Sequence, residues 1–167
     1  EYFKKAVSLL SEQFQKEKIA PKSLLDIGCA AGDFLRYFNS MFNKDLNVEY
    51  FGSDVMPELL IEAKKRFPKG TFSECDLSSK TSIKEVFGRK FDCISMLSVH
   101  TIFDNLNWLD NISNSLNEKG LAIIWSFFNP YPYDVIMRVK KSGENKFQPG
   151  WNVHSKKSIC LLYTSDA

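Results

Sequence analysis

Three acids stand where apolar runs break off: Asp26 in SLLDIG, Asp54 in VEYFGSD and Asp76 in GTFSECD. Behind the first comes Gly28-Cys29-Ala30-Ala31-Gly32, a turn almost free of side chains. One acid after a strand is commonly a helix cap. Three in succession, the first before a turn that leaves the backbone bare, point to something that lies against that backbone. A helix opening after such a turn presents its N-terminus to an anionic group. His100 and His154 are the two histidines and the candidate general bases, a role useful when a hydroxyl or protonated amine must lose a proton. Cys29 reads as a small residue of the turn, not as a nucleophile. The cysteines at 29, 75, 93 and 160 show neither metal-ligand spacing nor a redox CxxC pair, so no metal site is expected.

Those residues need elements to hold them. Phe3, Ala6, Val7, Leu10 and Phe14 recur at helical spacing before Pro21 and predict an amphipathic opening helix. SLLDIG then predicts a buried strand, and Phe34, Phe38, Met41 and Phe42 a helix that starts at the glycine turn. VEYFGSD (Val48–Asp54) is the second strand. Pro57 opens a helix with Leu59, Ala63 and Phe67 on one face. GTFSECD (Gly70–Asp76) is the third strand, and Ser82–Phe87 a short helix. FDCISML (Phe91–Leu97) is the fourth strand. Trp108, Leu109, Ile112 and Leu116 mark a helix that ends near Gly120, where GLAIIWSFF (Gly120–Phe128) begins as the fifth strand. Strand and helix alternate, and the strands are near-continuous apolar runs. That pattern predicts a doubly wound α/β domain with a mostly parallel sheet covered on both faces. Beyond Asn129 the pattern weakens: YPYDVIMRVKKSG predicts one helix, NKFQPGWNVHSKKSI is irregular, and no antiparallel strand pair is legible.

The stretch from about Pro21 to Phe128 resembles the class I S-adenosylmethionine-dependent methyltransferases, a Rossmann-like fold. Their D/E-x-G-x-G-x-G loop stands here as Asp26-Ile27-Gly28-Cys29-Ala30-Ala31-Gly32, with Ala30 in place of the middle glycine. Alanine at that position requires an unstrained backbone. The resemblance implies that Asp26, Gly28, Cys29, Ala30 and Gly32 line the methionine and ribose part of S-adenosyl-L-methionine. It implies that Asp54, with Val55 and Met56, receives the ribose hydroxyls, since one carboxylate takes two donors at once. Asp76 and Leu77 would face the adenine. In MLSVHTIFDN, Leu97, Ser98 and His100 would approach the sulfonium. The resembled strand order is 3-2-1-4-5-7-6, and the last two strands have no counterpart in this sequence, which leaves 3-2-1-4-5 with the fifth strand at an open edge.

Rival folds fit less well. A dinucleotide site needs G-x-G-x-x-G, whereas Ala30 and Asp33 occupy the later glycine positions, and no Gly-Lys-Ser/Thr follows the turn as in a P-loop. NPYPY (Asn129–Tyr133) is close to the N/D-P-P-Y/F motif of base-modifying methyltransferases, but it follows the fifth strand instead of the fourth. It reads as a proline-stiffened loop at the rim of an acceptor pocket, with Trp151 as a further wall. The net charge of +2 shows no basic face for nucleic acid. No apolar run approaches the length of a membrane span.

The sequence therefore predicts a methyltransferase domain over residues 1–159, acting on a small-molecule acceptor such as a sugar or other polar metabolite. It carries nothing that points to nucleic-acid or membrane partners and nothing that sets an oligomeric state. Two alternatives are a non-catalytic domain that binds the same cofactor and an aminopropyltransferase of the same fold. The second would want extra carboxylates that SVHT does not supply. Cysteines that read as buried thiols suit a reducing, cytoplasmic setting. The chain does not begin with methionine, and CLLYTSDA (residues 160–167) matches an in-frame translation of a transposon-type sequencing adapter. That tail is expected to be an artefact, and the domain incomplete at its C-terminus.

Overall fold

A computed structural model of the chain describes residues 1–42, 47–79 and 81–164, with side chains described to residue 160. The elements follow in the order α1 (Tyr2–Glu17), β1 (Ser23–Ile27), α2 (Asp33–Phe42), β2 (Glu49–Asp54), α3 (Pro57–Arg66) and β3 (Thr71–Glu74). Then come α4 (Ile83–Phe87), β4 (Phe91–Leu97), α5 (Asn107–Asn114), β5 (Leu116–Trp125), β6 (Arg138–Val139), β7 (Gln148–Pro149) and α6 (Lys156–Thr164). Five strands form a parallel sheet in the order β3-β2-β1-β4-β5.

Successive residues of β1 face opposite sides of the sheet, and each side has its own core. Leu24 packs with Val7, Leu10, Phe14, Phe34 and Phe38 beneath α1 and α2. Leu25 and Ile27 pack with Phe51, Ile94, Met96, Trp108 and Ile112 beneath α4 and α5. β1 is buried along its whole length. That is why its sequence is a plain apolar run and not an alternation. A capping box at Ser82 and Glu85 and a left-handed Gly88 delimit the short α4.

Several expected boundaries move. α5 stops at Asn114, and Leu116 begins β5 instead of continuing the helix. The switch is made by Phe91 N–H, which donates to Ser115 O and pulls the chain onto β4 at the Phe91–Leu116 pair. The ladder then slips between Phe91 and Cys93, so Leu121 faces Cys93. β5 ends at Trp125, short of Phe128. In α3 the buried face carries Leu60 rather than Leu59, and in α2 Met41 is exposed.

The helix expected in 131–143 is absent. Val135 pairs with Val153, and β6 and β7 form an antiparallel pair where none was expected. Pro132 and the β-branched Val135, Ile136 and Val139 favour that extended path. Among the described residues, no strand pairs with the outer edge of β5. The backbone is helical from 156 to 164, which includes the first five residues of the adapter-like tail, and residues 165–167 lie outside the described residues. Among the described residues no helix is long and apolar enough to cross a membrane. Nor do three or more His, Cys, Asp or Glu side chains cluster there to hold a metal ion.

Candidate functional site

The sheet order reverses between β1 and β4, and a cleft opens there at the carboxyl ends of the strands. The turn after β1 builds its floor. Gly28 takes φ 68° and Gly32 φ 76°, the left-handed region where a side chain is strained. A Cβ on Gly28 would also overlap the Val99 side chain. Cys29 N–H donates to Ser53 O at 2.9 Å and Gly32 N–H to Cys29 O at 2.8 Å, which ties the turn to β2 and closes it before α2. Ala30 has φ 45°, so the backbone there is not the unstrained one that alanine requires. It keeps the left-handed turn and carries the strain of a Cβ.

Two cavities flank this turn. The first, of about 250 Å³, lies between the ends of β1, β2, β3 and β4. Asp54, Asp76 and Ser98 line it together with Gly28 and Val55, while Leu77, Val99, Ile102 and Phe103 supply apolar walls. The Asp54 carboxylate is fixed by two backbone donors, Ala30 N–H to Oδ2 at 3.0 Å and Met56 N–H to Oδ1 at 3.1 Å. Each oxygen keeps a further lone pair for a ligand. Asp76 accepts from Ser78 N–H and Ser78 O–H, both at Oδ1, at 2.8 and 2.6 Å. Ser98 is also left-handed, φ 64°, and its N–H donates to Trp125 O at 2.6 Å.

The second cavity, of about 220 Å³, lies across the turn toward α1 and α2. Asp26, Cys29, Ala30 and Leu97 line it, together with Tyr2, Phe3, Asp33 and Phe34. Asp26 is 3% exposed, and Ser95 O–H donates to its Oδ1 at 2.8 Å. Burial, set against that hydrogen bond, raises its pKa to about 7, with the Asp54 charge adding to the rise. Burial likewise pushes the Cys29 and Cys75 thiols up, so neither is a nucleophile at neutral pH.

Of the residues singled out from the sequence, Asp26, Gly28, Cys29, Ala30, Asp54, Val55, Asp76, Leu77, Leu97 and Ser98 line one or both cavities. Gly32 and Met56 line neither; they act through the backbone hydrogen bonds above. The histidines are placed differently. His100 sits in a single 3-10 turn, His100–Ile102, fully buried, with no hydrogen-bond partner at either ring nitrogen. It stacks on Phe128, with ring centroids 4.7 Å apart. Burial lowers its pKa to about 4, with His154 adding to the fall. His154 is 2% exposed, and its Nε2 lies 3.1 Å from Phe103 O. Neither ring lines either of these two cavities, and both imidazoles are buried away from them. The NPYPY loop is tied by Asn129, which bonds Tyr133 O and Tyr131 N–H, and leaves Tyr131 and Tyr133 exposed. Trp151 is exposed as well.

The sequence did not mark Val99, Ile102 and Phe103 as walls of the first cavity. It also read Phe3 and Phe34 as plain helix core. Their helical spacing reports which face is inward, but not that part of this face borders a cavity.

A family model described as a methyltransferase domain matches residues 1–160. The chain belongs to that family. No curated protein sequence matches it. Among solved structures, the plantazolicin methyltransferase BpumL, crystallised with SAH, is 24% identical with a TM-score of 0.61, covering 72% of this chain and 44% of its own. This chain thus spans less than half of that enzyme. CalS10, an amino pentose methyltransferase from Micromonospora echinaspora with SAM bound, is 15% identical with a TM-score of 0.65, covering 98% of this chain and 82% of its own. A TehB-like SAM-dependent methyltransferase from Corynebacterium glutamicum is 26% identical with a TM-score of 0.53, covering 71% and 60%.

Proposed function

We propose that this protein is an S-adenosylmethionine-dependent methyltransferase with a small-molecule acceptor. One observation carries this: a carboxylate, Asp54, held by two backbone N–H groups in a cavity with apolar walls at the switch point of the sheet. The residues fit the cofactor. Asp54 offers two acceptor oxygens to a vicinal diol, Leu77 and Phe103 give apolar faces to a purine, and Asp76 has an oxygen free of its Ser78 bonds to receive an exocyclic amine. Asp26 and the turn through Gly32 would border the methionyl end, and Leu97 and Ser98 the sulfonium. The cofactor supplies an activated methyl group. The protein's own part is to hold the two partners in line and to exclude water.

An amino sugar or another polar metabolite is the acceptor class we favour. CalS10 is an amino pentose methyltransferase and KedS8 a sugar N-methyltransferase, and both share this fold. Cys29, Cys75 and Cys93 are buried thiols, in keeping with a reducing, cytoplasmic compartment. Calorimetry tests the cofactor assignment. S-adenosylhomocysteine should bind and NAD should not. Asp54→Ala should weaken S-adenosylhomocysteine by about 10- to 150-fold, equivalent to about 1.5–3 kcal/mol for hydrogen bonds to a charged group. Binding of NAD without S-adenosylhomocysteine would overturn the assignment.

A further inference from the structure

The stretch after β5 carries a surface unlike the rest of the molecule. From 131 to 149 every residue except Val139 is exposed. β6 and β7 pair antiparallel within it, and Gly143, with φ 84°, lies in the turn that joins them. The ribbon is held at its base. Asn152 N–H donates to Thr101 O at 2.7 Å, its Nδ2 donates to Phe103 O at 2.8 Å, and Arg138 pairs with Asp104 at 2.8 Å. A two-stranded ribbon alone is marginal in water, so this one gains from a surface to lie on.

Its side chains define that surface. Tyr131, Tyr133 and Trp151 are each at least 69% exposed, and Val135, Ile136 and Met137 each at least 41%. Between Phe127 and Ile159 the chain holds six lysines and arginines against two acids, a charge of +4 within a total of +2. The rest of the chain is therefore net negative, which hides this concentration from the total. Arg138 and Lys141 are paired, with Asp104 and Glu144. Lys140, Lys146, Lys156 and Lys157 form no ion pair among the described residues, and Lys140 Nζ lies 5.4 Å from the centroid of the Phe147 ring.

We propose that this ribbon docks the protein on an anionic lipid surface. Tyrosine and tryptophan suit a boundary that is apolar on one side and wet on the other. Lysines near a membrane are drawn to its anionic headgroups while their stems cover apolar surface. A second copy of the chain would bring the same unpaired lysines face to face. A nucleic acid would answer the lysines and the rings, but it offers no apolar phase to Val135, Ile136 and Met137. The lack of a spanning run in the sequence excludes a crossing helix and not a contact of this kind. Because the base of the ribbon is tied to Phe103, a docked ribbon holds a wall of the first cavity close to the lipid. None of this rests on the cofactor assignment.

Sedimentation of the full chain with vesicles tests the proposal. The protein should bind phosphatidylcholine vesicles in which about one lipid in four is phosphatidylglycerol, and not pure phosphatidylcholine. Binding should weaken from about 0.1 M to about 1 M salt, where the screening length falls from about 10 Å to about 3 Å. Lys140→Gln combined with Lys146→Gln should weaken it about 25-fold, about fivefold for each lysine. Tryptophan emission should move to shorter wavelength with the anionic vesicles alone, and Trp151→Phe should bind but lose that shift. Absence of binding, or equal binding to both vesicle types, would overturn the proposal. So would a dimer, or a complex with a mixed-sequence oligonucleotide, that shields Trp151 from iodide when vesicles do not. If the double variant does not fold, the vesicle pair and the salt series on the unaltered chain still decide.

Discussion

Asp26 and His100 are both buried titratable groups, and burial shifts both toward their neutral forms, yet they belong to different kinds of place. Asp26 borders a cavity, and Ser95 holds one of its oxygens. His100 borders neither of the two cavities, and its ring lies among Phe128, Trp108 and His154 with both nitrogens unbonded. A polar group at a cavity wall is within reach of whatever enters that cavity. A polar group sealed in a core without partners only costs stability, about 1–3 kcal/mol for its lost hydration. Both cavities are lined by residues before Asp104, and the stretch from Phe128 to His154 packs against the 3-10 turn and Phe103.

The largest test of this contrast is the pH dependence of stability. Asp26 has its pKa raised from 3.8 to about 7 in the folded state. Its contribution is fully present below pH 4 and is lost as pH rises through 7. His100 has its pKa lowered from 6.5 to about 4. Its contribution is present above pH 6.5 and is lost as pH falls through 4. At about 1.4 kcal/mol per unit, the effects are on the order of 4–5 kcal/mol for Asp26 and 3–4 kcal/mol for His100. Between pH 4 and pH 6.5 the two slopes oppose, so the unaltered protein should show nearly flat stability from these groups. Asp26→Asn should unmask a rise in stability with pH, and His100→Leu a fall. Urea titrations at several pH values would show this; parallel profiles for both variants would break the contrast. His100→Leu should also be more stable than the parent at pH 5.

The next pair of variants separates binding from holding. Asn152 is fully buried and bonds Phe103 O at 2.8 Å and Asp104 Oδ1 at 3.0 Å through Nδ2, while Met137 N–H donates to its Oδ1 at 2.8 Å. Asn152→Ala should cost about 2–3 kcal/mol, because it strands Met137 N–H and weakens the tie to Phe103. Its affinity for S-adenosylhomocysteine should change by less than about threefold. Asp54→Ala should do the reverse, losing affinity with little loss of stability. A variant of Asn152 that lost affinity while keeping its melting temperature would place this residue in the site.

The two halves also differ in how far their sequence could be read. Phe91–Leu97 forms a strand with the predicted ends, because an apolar run buried on both faces leaves little choice. Asp26, Asp54 and Asp76 were legible for a related reason, since each stands within two residues of a strand end at the same sheet edge. The boundary of α5 was not legible. Leu116 continues the helical spacing, and only its pairing with Phe91, remote in sequence, makes it a strand. The stretch from Tyr131 to Gly143 has no local pattern to read, because its form depends on Val153 and Asn152. His100 follows a strand end like the acids do, but the left-handed Ser98 redirects the chain and turns the ring inward. A single residue's backbone angle is not written in its neighbours' periodicity.

The smallest expected effect concerns that same kind of angle, at Ala30. The residue is exposed, so packing does not hold it, yet its φ is 45°. What holds it is its N–H, which donates to Asp54 Oδ2 at 3.0 Å. A Cβ in the left-handed region costs about 1–2 kcal/mol. Glycine would remove that strain but would add freedom to the unfolded chain, worth about 0.4–1 kcal/mol against it. Ala30→Gly should therefore stabilise by a net of about 0.5–1 kcal/mol, with the Asp54 bond and ligand affinity retained. Ala31 is the internal control, since its φ is not positive. Ala31→Gly gains no strain relief and should destabilise by about 0.4–1 kcal/mol. Chemical denaturation of the two variants side by side should thus give opposite signs from identical chemistry. Equal signs would mean that the turn does not carry its strain at Ala30, and that the backbone donor to Asp54 is not fixed by the conformation described.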